Sequence, residues 1–281
     1  MGLYNLLVKP FVRNKSMAEA SHICLRYYRT MGRIPFARTL NRWFFGNKPS
    51  GLEREVFGLS FYNPVGLGAG LDIQGELYND LSNLGVSFVE VGPVREGNVK
   101  NVIMHVQKDS PKDILALCIE QDYLTTFTLA YDFFDFFVID LSADPSVEHI
   151  EPLLESRIGE QQYKPIIIKL PDYLTDSEIE SFAEYSMVNN IDGIEIRSLE
   201  HLHHIYSYTK GRLPLIANSH IDTPEMAAEA LKAGASLVEI RTGLVKEGPR
   251  VVSNTLKHLL KLKENTINEE SSSSIQDSQS A

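Results

Sequence analysis

From residue 60 onward, short runs of branched apolar residues alternate with amphipathic stretches. Runs of Val, Ile and Leu without polar alternation are typical of parallel strands that are covered on both faces. The predicted strands are 63–68, 87–92, 113–119, 136–142, 165–170, 193–198, 213–218 and 236–241. Between them, Thr175 stands three residues before Glu178, which is capping-box spacing, and Gly234 ends the helical pattern of 223–234. The pattern predicts a (β/α)8 barrel, whose chemistry belongs on the loops that follow the strands.

The first 50 residues have a different pattern, with two short helices separated near Gly32 and Pro35. Aromatic residues cluster on one side of these helices, for example at 43–45, and arginines lie on the other. An amphipathic basic helix of this kind is typical of a segment that lies in a membrane interface. The alternative is a basic helical pair packed on an acidic body, with the aromatic residues in the core.

The charge distribution supports a division of the chain into parts. Residues 1–50 hold nine Lys or Arg and one acid, whereas the remainder holds 18 basic and 36 acidic residues. An acidic body would repel a phosphate backbone, so nucleic acid is not an expected partner. Two cysteines form no disulfide framework, and no apolar run is long enough to span a bilayer. We predict a membrane-facing segment (1–50), a barrel (51–262) and a disordered polar tail (263–281).

Several segments of the barrel carry a resemblance to a known family. They occur in the order NPVGLGAGLDIQGE, FVEVGPV, KLPDYLTD, DGIEI, LPLIANSHIDT and AGASLVEIRTGLVKEGP. This order resembles dihydroorotate dehydrogenase, most closely the class 2, quinone-linked, membrane-associated enzymes, from residue 4 to about 262. The resemblance implies a TIM barrel with FMN across its top, dihydroorotate stacked on the flavin, a serine as base and a quinone as oxidant. It also implies that the N-terminal helices form the membrane face.

Five residues stand where the family binds its cofactor. The resemblance places Ala69 and Gly70 beside the isoalloxazine ring and Lys169 at its pyrimidine edge. It also places Thr242 and Gly243 at the turn whose backbone amides bind the FMN phosphate. These are the cofactor-binding residues that we predict if FMN is retained.

Other positions depart from the family pattern around the substrate. The serine that acts as base in the family corresponds to Ala143, which cannot accept a proton, and a shift of one residue would bring in Ser142 or Ser146. The asparagines that bind orotate correspond to Asp140 and Cys118. We therefore predict no catalytic residue, with Ser142 as the alternative base.

The flavin site also departs from the family. Ile73 replaces a lysine that reaches flavin and substrate, and Pro93 replaces a threonine. Ser219 and His220 replace glycines that approach the phosphate. The loops that follow strands 87–92 and 193–198 are shorter than in the family, so we predict shortened active-site loops.

These departures predict a degenerate, non-catalytic, membrane-associated homologue of class 2 dihydroorotate dehydrogenase that binds FMN weakly or not at all. The alternative is an active FMN-dependent enzyme that oxidises dihydroorotate to orotate in pyrimidine biosynthesis. The non-catalytic homologue would bind a small ligand or a protein partner. A third hypothesis is an adaptor at the membrane surface, whose basic helices and acidic barrel face different partners. We expect a peripheral location on the cytoplasmic side of the inner membrane. No metal site is predicted, because the histidines at 201, 203 and 204 lack supporting Cys or carboxylate spacing.

Overall fold

The computed structural model describes residues 3–34, 36–46, 48–218 and 221–279 of the protein. Its strands are β1 (Arg54–Val56), β2 (Leu59–Phe61), β3 (Val65–Asp72), β4 (Phe88–Val94), β5 (Ile114–Ile119), β6 (Phe136–Asp140), β7 (Ile166–Lys169), β8 (Gly193–Ile196), β9 (Leu215–Ala217) and β10 (Leu237–Ile240). β1 and β2 form an antiparallel hairpin, and the other strands close into a parallel barrel in the order β10-β3-β4-β5-β6-β7-β8-β9. The predicted barrel is confirmed.

The helices surround this barrel and precede it. They are α1 (Leu3–Leu7), α2 (Lys9–Val12), α3 (Met17–Arg33), α4 (Ala37–Phe45), α5 (Tyr78–Ser82), α6 (Glu96–Lys108), α7 (Tyr123–Ala130), α8 (Glu151–Ile158), α9 (Asp176–Val188), α10 (Leu199–Thr209), α11 (Pro224–Lys232), α12 (Thr242–Glu247) and α13 (Arg250–Gln279). The predicted capping box begins α9: the Glu178 amide donates to Thr175 Oγ1 at 3.4 Å, and the Thr175 amide donates to Glu178 Oε2 at 2.8 Å.

Aromatic rings fill the barrel interior near the amino ends of the strands. Phe88 on β4 contacts Phe61 on the hairpin edge-on, with ring centroids 5.6 Å apart, and Phe136 on β6 at 5.8 Å. All three rings are buried. A Cβ atom on Gly66 would lie 2.2 Å from the Phe88 ring, so this strand position requires glycine.

β3 runs further than the sequence predicts, to Asp72 instead of residue 68. Its pairing with β4 is irregular between Leu67 and Asp72, and Gly70 has a φ of +94°. Glycines at alternate positions weaken the apolar pattern of this strand, which accounts for the early end of the prediction.

The loops after β4 and β8 are short, as predicted. β4 ends at Val94 and α6 begins at Glu96, while two residues separate β8 from α10. Little chain is therefore available above these two strands to cover a bound molecule.

The N-terminal helices pack on the barrel through part of their apolar surface. Cys24 and Tyr28 on α3 are buried in the same core as the barrel helices, together with Tyr4 on α1. The Tyr4 hydroxyl donates to the Val245 carbonyl on α12 at 2.5 Å. For α3, therefore, the alternative of a helix packed on the body is the arrangement found.

Other apolar side chains of this segment remain exposed. Trp43 is 76% exposed and Phe44 is 59% exposed on α4, and Phe36, Leu6 and Phe11 are exposed as well. Among the described residues, none of the helices is both long enough and apolar enough to cross a bilayer. α13 extends into the segment 263–281, for which disorder remains a prediction.

Candidate functional site at the carboxyl ends of the strands

Three charged side chains meet where β6, β7 and β8 end. The register of these strands sets Asp140 beside Lys169, and Lys169 beside Glu195. Lys169 Nζ lies 3.1 Å from Glu195 Oε1 and 3.5 Å from Asp140 Oδ2. Burial alone would lower the pKa of Lys169, but the neighbouring charges, led by Glu195, raise it well above its usual value. Lys169 is thus held as a cation between carboxylates.

Two further glutamates lie close to Glu195 inside the barrel. Oxygen atoms of Glu90 on β4, Glu195 on β8 and Glu239 on β10 all lie within 4.8 Å of one another. Glu90 and Glu195 are 0% exposed, and Glu239 is 2% exposed. Burial, followed by the charge of Glu90, raises the pKa of both Glu195 and Glu239 above the usual range.

None of the three glutamates is among the site residues predicted from the sequence. Its signal is an acid inside each of three apolar strands, in SFVEVG, GIEIRS and SLVEIR. Charged residues are almost never fully buried unless they are paired, so an acid in a buried strand marks a site worth testing.

The turn of Ala69 and Gly70 is covered by a side chain of the protein. Ala69 is 6% exposed. A Cβ atom on Gly70 would lie 2.8 Å from Arg241 Cζ, so the Arg241 guanidinium packs directly against the glycine. The resemblance places the isoalloxazine ring beside this turn, where the arginine now lies.

Thr242 and Gly243 begin α12, and an acid lies against them. The Thr242 hydroxyl donates to Asp222 Oδ1, and Lys246 Nζ is ion-paired with Asp222 Oδ2. A Cβ atom on Gly243 would lie 2.6 Å from the Ile221 carbonyl oxygen and 3.0 Å from Asp222 Cα. The Asp222 carboxylate therefore engages the Thr242 hydroxyl and the Lys246 ammonium, next to the turn whose backbone amides the resemblance assigns to the phosphate.

Ser142 shares a cavity with Lys169, and Ala143 does not. The Lys169 cavity, of about 310 Å³, is also lined by Tyr173, Arg197 and Asn218. Ala143 lines a separate cavity of about 570 Å³ with residues of α7 and α8. Of the two alternative bases, the structure thus brings only Ser142 to the Lys169 cavity.

The remaining predicted positions are placed as follows. Ser146 Oγ accepts from the Glu148 amide at 3.2 Å and caps a short 3-10 turn. Ile73 is 41% exposed, and Cys118 is fully buried on β5. Ser219 and His220 lie outside the described residues.

Two of the site's side chains, Arg241 and Asp222, lie where the resemblance places FMN. A flavin ring at Gly70 would overlap the Arg241 guanidinium, and a phosphate at Thr242 would meet the Asp222 carboxylate. Lys169 is already neutralised by two acids. For FMN to bind at these positions, the Arg241 and Asp222 side chains would both have to move.

Comparison with known proteins gives a consistent family signal. The family model described as "Dihydroorotate dehydrogenase" matches residues 191–262. The chain is 27% identical to the dihydroorotate dehydrogenase (quinone) of Christiangramia forsetii, with 92% of this chain and 99% of that protein covered. It is 25% identical to the protein of that name from Pasteurella multocida, with 86% and 96% covered.

Solved structures show the same fold. A DHODH of Eimeria tenella in complex with ferulenol superposes with a TM-score of 0.68 at 18% identity, covering 83% of this chain and 93% of that chain. The ligand-free form gives a TM-score of 0.69 at 19% identity, with 82% and 94% covered.

The alignment with the Christiangramia protein extends over 336 positions, more than the 281 residues of this chain. That relative therefore contains segments that are absent here, which agrees with the short loops after β4 and β8. The chain is therefore similar to quinone-type dihydroorotate dehydrogenases, at 27% identity over 99% of one such protein.

Proposed function

We propose that this protein is a dihydroorotate dehydrogenase homologue that does not bind FMN and does not oxidise dihydroorotate. The observation that carries the proposal is the position of Asp222 at the turn of Thr242 and Gly243. A carboxylate there repels a phosphate dianion and engages the Thr242 hydroxyl and the Lys246 ammonium. FMN bound at this turn would place its phosphate next to this carboxylate.

The substrate side of the site supports the same proposal. Lys169 is paired with Glu195 and Asp140, so little positive charge is left for the pyrimidine edge of a flavin. Ile73, at the position of the family's lysine that reaches the substrate, carries no charge. Ala143 cannot accept a proton. Loss of a general base alone typically lowers a rate by about 10²–10⁴.

We further propose that the N-terminal segment binds the surface of an anionic membrane. The exposed Trp43 and Phe44 rings contact each other edge-on at 4.7 Å on α4, and Arg42 beside them is exposed. Aromatic residues beside basic ones are typical of interfacial segments. A peripheral location on the cytoplasmic face of the inner membrane belongs to this proposal, as does an unidentified protein partner.

The test of the main proposal is a visible absorbance spectrum of the purified protein before and after addition of FMN. The Christiangramia forsetii protein, prepared identically, serves as the positive control. We expect no flavin band in this protein and no spectral change of added FMN. A flavin spectrum near one equivalent per chain would overturn the proposal.

A second candidate function is quinone-linked oxidation of dihydroorotate with FMN. The similarity to dihydroorotate dehydrogenase (quinone) over 99% of a relative favours it, and Ser142 would then be the base beside Lys169. In that case the protein would reduce a quinone with dihydroorotate, and Ser142→Ala would lower kcat by about 10²-fold or more. Absence of both flavin and turnover would exclude this candidate.

A further inference from the structure

The carboxylate cluster of Glu90, Glu195 and Glu239 is more than a group of neighbouring acids, because its members converge on one point in the barrel and most of their oxygens lack donors. The three side chains come from β4, β8 and β10 and converge inside the closed barrel. Gly68 leaves space for one of them, since a Cβ atom there would lie 2.5 Å from Glu239 Oε2. The local sequence therefore accommodates a carboxylate in the interior at this point.

Most oxygen atoms of the cluster have no donor. Among the described residues, no donor outside the cluster reaches either oxygen of Glu90, either oxygen of Glu239, or Glu195 Oε2. All five atoms are inaccessible to solvent. A buried acceptor without a partner costs about 1–3 kcal/mol and a charged one costs more, so a bound cation or a proton shared within the cluster would stabilise these atoms.

Glu195 is oriented so that one oxygen remains available to the cluster. Its Oε1 atom accepts from Asn218 Nδ2 and is paired with Lys169 Nζ, while Oε2 has no donor. Outer partners of this kind fix the orientation of carboxylates that bind metals.

The balance of charges around the carboxylate cluster also favours a bound cation. Lys169 is the ammonium in contact with the cluster, and it already pairs with Glu195 and Asp140. Among the described residues, no basic side chain forms an ion pair with Glu90 or Glu239. Buried carboxylates that lack a basic partner favour a bound cation.

We propose that Glu90, Glu195 and Glu239 bind one divalent cation that prefers oxygen ligands, of the class of Mn²⁺, Ca²⁺ and Mg²⁺. Ligand oxygens on opposite sides of an ion bound at about 2.2–2.5 Å lie about 4.4–5 Å apart. One oxygen from each of the three glutamates lies within 4.8 Å of the other two, which is close enough for all three to contact one ion. Carboxylate ligands without thiols or imidazoles suit hard cations such as Mg²⁺, Ca²⁺ and Mn²⁺.

This site goes beyond the proposed function, since its occupancy is independent of flavin content. The test is a titration of the full-length, EDTA-treated protein with Mn²⁺, followed by electron paramagnetic resonance of the free ion. Glu239→Gln keeps the side-chain volume and removes one ligand charge. Glu155→Gln, on the exposed face of α8, is the matched control.

We expect about one Mn²⁺ per chain in the wild type and in Glu155→Gln, with at least tenfold weaker binding in Glu239→Gln. Excess Ca²⁺ or Mg²⁺ should displace the bound Mn²⁺. Mn²⁺ should also raise the Tm of the wild type and leave that of Glu239→Gln unchanged, because a ligand stabilises only the state that binds it. Absence of Mn²⁺ binding, or binding that Glu239→Gln does not weaken, would overturn the proposal and leave protons as the neutralising charge. Absence of Mn²⁺ binding to the wild-type protein would overturn the proposal even if Glu239→Gln folds poorly.

Discussion

Replacement of Lys169 by methionine tests the charge network at the carboxyl ends of the strands. Met retains most of the aliphatic stem and removes the ammonium from Glu195 and Asp140, which lie 3.1 Å and 3.5 Å away. Glu195 is fully buried, and the Lys169 side chain is 13% exposed. Removing one partner of a buried ion pair typically costs about 3–5 kcal/mol, because the other charge stays buried. Because Lys169 is partly exposed, we expect a cost at the lower end of this range, about 3 kcal/mol.

The assay is urea unfolding followed by circular dichroism, in EDTA so that bound metal does not contribute. Lys169→Met should lower the free energy of unfolding by about 3 kcal/mol without a change in the urea dependence. A second substitution, Glu195→Gln, removes the uncompensated carboxylate, and the double variant should recover about half of the loss. Lys232→Met, at an exposed position on α11, should change stability by less than about 0.5 kcal/mol.

A loss below about 1 kcal/mol in Lys169→Met would show that Glu195 is already neutral in the folded protein. The same conclusion would follow if Glu195→Gln failed to rescue the lysine variant. Either result would refute the assignment of Lys169 as the cation that neutralises these carboxylates.

Three further predictions concern packing, capping and membrane binding. Gly66→Ala should destabilise the barrel by about 1–3 kcal/mol in urea unfolding, because its Cβ atom would lie 2.2 Å from the Phe88 ring, and Phe88→Leu in the same chain should restore part of the loss. Thr175→Ala should cost about 1 kcal/mol. The hydrogen bond from the Thr175 amide lowers the pKa of Glu178 in the folded protein. The stabilisation that the ionised Glu178 gives is therefore fully present above its pKa in the unfolded chain, and it is lost as the pH falls through its pKa in the folded protein. The stability difference between wild type and Glu178→Gln should therefore shrink in acid. Trp43→Ala should weaken sedimentation with vesicles that contain anionic lipid; unchanged sedimentation would exclude α4 as the membrane contact.

The barrel could be predicted because its strands are buried on both faces and therefore read as continuous apolar runs. β6, for example, is FFVID with its first four residues buried. β3 was predicted less well, because glycines interrupt its pattern and Gly70 takes a conformation that other residues avoid.

The candidate site could be located from the sequence, but its contacts could not. Lys169 lies at the end of β7, as predicted, yet its partners depend on the register of β6, β7 and β8, which are far apart in sequence. The position of Arg241 over Gly70 has the same origin, since β10 closes the barrel against β3. Tertiary pairing of this kind leaves no periodic signal in the chain.

The packing of the N-terminal segment bears on how its membrane role can be tested. Tyr4 donates to Val245 and lies against Gly248, where a Cβ atom would be 2.3 Å from the ring, so α1 is fixed to α12 and the turn that follows it. Cys24 and Tyr28 add buried apolar area to the same core. Deletion of residues 1–50 would expose this core next to Thr242, and loss of vesicle binding could then reflect unfolding. Substitution of exposed residues such as Trp43 leaves these contacts intact, so a loss of vesicle binding in that variant can be assigned to the membrane contact itself.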